Sequence, residues 1–314
     1  MTSVDLRQRG RRRHLAAVET PKEPLEPATV YPVQVIACWG PAGSPGKSTI
    51  AINIAAELAL GGHSVLLIDL DTLAPAIALY LGLVDTPAGL SACLRLAEQQ
   101  RFTREEFERL TVSITLGRQE LRFMPGLIGA HRFQEVTPER FEGLLQQLAG
   151  FVDYVVLDLP QATEFKSPVV HPSTLAIHDF FSRDKLLRST LAKASKLVFI
   201  SGCDPVAAHR FILANEYLAE LKTSAQVFVL VNRFRTTTLG SGARDEIEQT
   251  YLDLAKLRVD CFIPEDSQNI DKATLNGLPL ALLKRSSPAR LAIGQLVKQL
   301  VAGSGTSGSV AKLS

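Results

Sequence analysis

The densest chemistry in this chain lies in one run, Gly40-Pro41-Ala42-Gly43-Ser44-Pro45-Gly46-Lys47-Ser48-Thr49. Glycines let backbone N–H groups curl around an anion, and a helix beginning at Lys47 would aim free donors and its positive dipole end at the same point. A lysine and a hydroxyl there suit a polyphosphate with its cation: Lys47 reaches the β- and γ-phosphates, and Ser48 ligates Mg²⁺. Asp69 and Asp71 follow the apolar run Val65-Leu66-Leu67-Ile68, and Asp158 follows Tyr154-Val155-Val156-Leu157. Carboxylates at the carboxyl ends of parallel strands face the mouth where open α/β sheets bind ligands. Asp158, after four apolar residues, has the Walker B pattern of a hard oxygen ligand for Mg²⁺.

Positioning these groups requires a sheet. Apolar runs at 33–38, 64–69, 121–124, 152–158, 196–201, 226–232 and 259–263 read as strands buried on both faces. Helical patterns fill the gaps at 47–60, 104–110, 138–148, 206–221, 243–257 and 288–301. The alternation predicts an α/β fold, a doubly wound, mainly parallel sheet flanked by helices, as one domain over 31–302.

The remaining composition mainly excludes. A 46% hydrophobic content and 21% charged residues support a sizeable core, and a net charge of +2 argues against a general polyanion trap. The four cysteines stand singly, which disfavours zinc, iron–sulfur and disulfide frameworks and indicates a cytoplasmic setting. Residues 1–30 read as a flexible tail in which Arg7, Arg9, Arg11, Arg12 and Arg13 stand against one nearby acid, Asp5, and are followed by a Pro/Glu stretch from Pro21 to Pro27. The tail is either a solvated linker or an anchor for acidic lipid or DNA. Residues 303–314, rich in Gly and Ser, read as a second flexible tail. The stretch 161–189 is long for a connection, and its His171, His178 and Asp179 lack a tight ligand constellation.

The loop departs from the standard G-x-x-x-x-G-K-[ST] spacing, since Pro41 stands where the first glycine belongs. From Ala42 to Thr49 it resembles the deviant Walker A loop of the MinD/ParA family, K-G-G-x-G-K-T-T, with Asn53 at the family's helical asparagine. Asp158-Leu159-Pro160 matches the family's Asp-x-Pro. Asn232-Arg233, Phe262-Ile263-Pro264-Glu265-Asp266 and Ala273-Thr274-Leu275-Asn276-Gly277-Leu278-Pro279 extend the similarity over about 33–301. The resemblance implies a P-loop NTPase of the SIMIBI type that binds ATP or ADP with Mg²⁺ and forms an ATP-dependent homodimer recruiting a protein partner. It implies that Gly43, Ser44, Pro45, Gly46, Lys47, Ser48 and Thr49 hold the phosphates. Asn232, Arg233, Pro264 and Asp266 would surround the base, Asp69 would sit on the magnesium side, and Asp71 would position the attacking water beside catalytic Lys47.

One departure bears on catalysis. The family's signature lysine, which crosses the dimer to the partner's nucleotide, is Ala42 here. The resemblance then implies retained binding and weakened turnover. In this respect the chain is similar to the pilus-localisation branch (CpaE/TadZ-like), among roles that include partition, septum placement and peripheral attachment at membrane or nucleoid. Other readings of the scaffold are a metabolic enzyme or a nucleotide-bound scaffold without useful turnover. An iron–sulfur carrier would need clustered cysteines, and a bacterial tyrosine kinase would carry tyrosines beyond Tyr251.

Overall fold

The computed structural model describes residues 33–43, 45–87, 89–127, 130–161, 174–221, 223–235, 240 and 242–302. The strands are β1 (Gln34–Trp39), β2 (Val65–Asp69), β3 (Val112–Leu116), β4 (Gln119–Met124), β5 (Tyr154–Asp158), β6 (Lys196–Ser201), β7 (Gln226–Phe234) and β8 (Val259–Pro264). They form one sheet in the order β3-β4-β2-β5-β1-β6-β7-β8. Every pairing is parallel except β3 with β4. The expected architecture is the observed one.

Alternate residues of the central strands enter two separate cores. Val35, Ala37 and Trp39 face one, with Leu90, Phe141, Leu187 and Phe211. Ile36 and Cys38 face the other, with Ile54, Leu58, Ile293 and Leu296. Helix α1 (Lys47–Leu60) is apolar on nearly every side because it is wedged between the sheet and the C-terminal helix Pro288–Ala302. Arg290 Nε lies 2.6 Å from Glu57 Oε1 and ties these two helices together. Ala289, Ile293, Leu296, Val297 and Leu300 make the buried face of that C-terminal helix, whereas Leu291 is exposed.

Four stretches differ from expectation. β3 went unread because an edge strand with one solvated face shows only weak apolar alternation, here Val112, Ile114 and Leu116. The helix α3 (Gly89–Glu98) was also missed, although Leu90, Cys93, Leu94 and Ala97 mark its buried stripe. The single helix expected over 243–257 is Ala243–Thr250 followed by a π-helical turn, Tyr251–Ala255. There Tyr251 turns inward, stacking 4.5 Å from Phe211 and sharing a 2.6 Å hydrogen bond with Ser201. The long connection expected over 161–189 is helical from Thr174 to Lys193. His171 and the side chains of His178 and Asp179 lie outside the described residues, as do both tails. Among the described residues no helix is long and apolar enough to cross a membrane.

Candidate nucleotide site

The loop leaves β1 and turns into α1 through Gly46, which caps the helix at φ 92°. No side chain caps this N-terminus, and its first turn holds no acidic residue. Free N–H donors therefore meet no anion from their own helix. A β-carbon at residue 46 would fall 2.5 Å from Asn232 Nδ2. That same nitrogen donates to the Pro45 carbonyl at 2.7 Å. Asn232 is thus a buried floor beneath the loop, with its amide nitrogen already engaged. Gly43 has φ 102°, and a β-carbon there would fall 2.3 Å from Arg210 Nη1. Asn53 donates to the Thr49 carbonyl at 2.8 Å and accepts from Leu280 N–H at 2.8 Å, which fastens the chain after Pro279 onto α1. Ser44 lies outside the described residues.

Parallel pairing of β2 with β5 places Asp69 in register with Asp158. Their roles diverge by their partners. Asp69 Oδ1 accepts from Asp71 N–H at 3.2 Å, while Oδ2 accepts from Ala76 and Ile77 N–H at 2.9 and 3.0 Å. Both oxygens hold the following turn. Ser48 lies beside Asp158 and acts to lower its pKa, yet Asp158 Oδ1 is buried without a partner among the described residues. Asp71 Oδ1 accepts from Leu73 and Ala74 N–H, both at 3.0 Å. Burial lowers the pKa of Lys47, and the nearby Asp158 and Asp71 carboxylates pull it back up.

A cavity of about 430 Å³ opens over the loop, within the range of small-ligand sites. Pro41 to Gly43, Pro45, Gly46 and Thr49 line it, together with Asn232, Arg233, Glu265, Ser267, Ile270 and Asp271. Pro264 and Asp266 do not line it. Asp266 instead accepts from the Ser287 hydroxyl, from Ala289 N–H at 3.4 Å and from the Asn269 amide at 2.6 Å, joining the β8 turn to the C-terminal helix. Sequence reasoning missed Asp204, Arg210, Arg235 and Asp271 on the walls. Asp204-Pro205 was a readable helix start, since Asp204 Oδ1 accepts from Val206 and Ala207 N–H.

Residues 36–280 match the CobQ/CobB/MinD/ParA nucleotide-binding domain. The chain belongs to that family. An uncharacterized ATP-binding protein of Methanocaldococcus jannaschii is 22% identical over 266 residues, covering 82% of this chain and 84% of that protein. The septum site-determining protein MinD of Synechocystis is 24% identical over 267 residues, covering 82% and 85%. Pyrococcus horikoshii MinD, solved with Mg-ADP, shares the fold at a TM-score of 0.63 and 19% identity, covering 87% of this chain and 98% of that one.

Within this MinD/ParA-like P-loop ATPase fold, the residues present suit a divalent cation. Asp158 Oδ1 is an unsatisfied buried oxygen and Ser48 is beside it, the two hard donors Mg²⁺ would take. When bound, the ion would screen the phosphate charges. Without it, burial pushes Asp69 up to about 7, and burial with the neighbouring Asp69 pushes Asp158 up to about 8. An acid whose folded pKa is raised keeps a proton that the unfolded chain releases. Stability therefore falls as pH climbs from the ordinary value, 3.8, towards about 8. Melting curves in chelator should show this decline, Mg²⁺ should raise the midpoint more at pH 8 than at pH 6, and Asp158→Asn should flatten both trends. Equal Mg²⁺ effects in wild type and variant would remove Asp158 from the cation site.

Proposed function

We propose that this chain binds ATP with Mg²⁺ over residues 40–49, dimerises in the ATP-bound form, and serves as a slow-turnover switch in spatial positioning. The supporting observation is the cavity lined by the glycine-fitted loop and by Glu265, Ser267, Ile270 and Asp271, beside a loop helix whose Ser48 acts on the buried Asp158 carboxyl. Lys47 offers charge to the phosphates, Asp158 and Ser48 hold the cation, and Asp71 orients the attacking water. Partition, septum placement and pilus assembly are the processes in view. A protein partner is recruited by the dimer, and the N-terminal arginines attach it to acidic lipid or DNA.

Ala42 favours a second reading, a nucleotide-held scaffold with little turnover, since a methyl group brings no charge to a neighbouring phosphate. Light scattering of purified protein should show a dimer with ATP and a monomer with ADP, beside slow phosphate release. A monomer under both nucleotides overturns the switch. Ala42→Lys is expected to raise phosphate release about tenfold, equivalent to about 1.4 kcal/mol off the barrier. A variant rate no higher than wild type would show that residue 42 does not limit turnover.

A further inference from the structure

We infer that Arg210 binds the nucleotide's phosphates within its own subunit and supplies over the loop a positive charge that Ala42 does not. The inference rests on the ATP-site reading above. Arg210 belongs to helix α7 (Pro205–Leu221), which follows β6, packs on the opposite face of the sheet from α1 and contributes Arg210 to the cavity wall. Its Nη1 occupies the space beside Gly43 that any side chain at 43 would need. Gly43 therefore serves twice: its φ of 102° shapes the loop, and its missing β-carbon admits the guanidinium.

The approach is built into the core. The next residue, Phe211, is fully buried and stacks 4.0 Å from Phe199 and 4.5 Å from Tyr251. Phe199 stacks in turn 5.2 Å from Trp39, the last residue of β1 before the loop. Four rings thus set the position of α7 relative to the strand that carries the loop. Asp204 caps the start of the same helix through Val206 and Ala207 N–H. A helix held at both its cap and its buried ring carries its side chains to repeatable places.

Arg210 has neither an ion pair nor a hydrogen bond among the described residues, whereas the half-buried Arg122, Arg132, Arg140, Arg188 and Arg290 are each paired with a carboxylate. A guanidinium half withdrawn from water and left without a counter-ion is costly unless an anion arrives. Its planar fork suits two oxygens of a phosphate. Arg233 and Arg235 also line the cavity, but neither is placed against the loop glycines.

Calorimetric titration with ATP and Mg²⁺ tests this on the full chain. Arg210→Ala should weaken affinity at least tenfold with an unchanged melting midpoint. Arg210→Gln, which keeps length and hydrogen-bonding capacity without the charge, should lose as much, and Arg210→Lys should recover only part. Rising salt should narrow the gap between wild type and Arg210→Gln, because screening weakens a charge contact. Arg210→Ala and Arg210→Gln within twofold of wild type, while Lys47→Ala abolishes binding, would overturn the role of Arg210 and leave the ATP site standing. A wild type that binds no ATP overturns both.

Discussion

Lys47→Ala should lower ATP affinity by at least two orders of magnitude. Lys47 opens α1 directly after Gly46, at an N-terminus with no side-chain cap and no acidic residue in its first turn. Charge-assisted hydrogen bonds contribute about 1.5–3 kcal/mol each, so losing those from one ammonium to two phosphates exceeds the roughly 2.7 kcal/mol of a hundredfold change. The loss has a second part. Asp158 and Asp71 both act electrostatically on Lys47. Without the ammonium these carboxylates repel an incoming polyphosphate. Lys47→Arg, which restores charge in a bulkier head, should recover little in a loop this closely fitted. Calorimetry with ATP and Mg²⁺ checks the result, and unchanged affinity in Lys47→Ala would end the phosphate-loop reading.

Asp71→Asn should leave ATP affinity within a few-fold of wild type and lower phosphate release about a hundredfold, the scale of a positioned base or water-orienting group. The turn supports the clean separation. Asp71 uses Oδ1 to accept from Leu73 and Ala74 N–H, and an asparagine oxygen accepts the same two bonds. Backbone geometry should survive, so the change removes charge alone. Single-turnover hydrolysis beside calorimetry measures both quantities. An unaltered rate would take Asp71 out of the chemistry, and a matched loss of affinity would make it a binding residue.

The elements that carry the loop were readable because each announces itself locally. Helix α1 begins and ends where its pattern says, at Lys47 and Leu60, since Gly46 and Gly61 flank an unbroken helix-forming run. The central strands were readable because burial on both faces demands near-continuous apolar sequence, as in Val65–Asp69 and Tyr154–Asp158. β3 lacked that demand. Resemblance to a family assigned Asp69, Asp71 and Asp158 to one mouth, but equal residue types hid unequal partners.

What the sequence determined by itself was the order of elements, the phosphate loop and the strand-end acids, all properties of runs of adjacent residues. Only the tertiary structure decided what each acid holds. Asp69 accepts from three backbone N–H groups up to eight residues onward, Asp266 accepts from Asn269, Ser287 and Ala289, and Asp158 keeps an open oxygen. It also brought Arg210 to Gly43, 167 positions apart in the chain, through a stack of four rings from four elements. Hydrogen-bond satisfaction and ring packing are settled by neighbours in space, and a carboxylate or guanidinium carries no sign in its own sequence of which neighbours those will be.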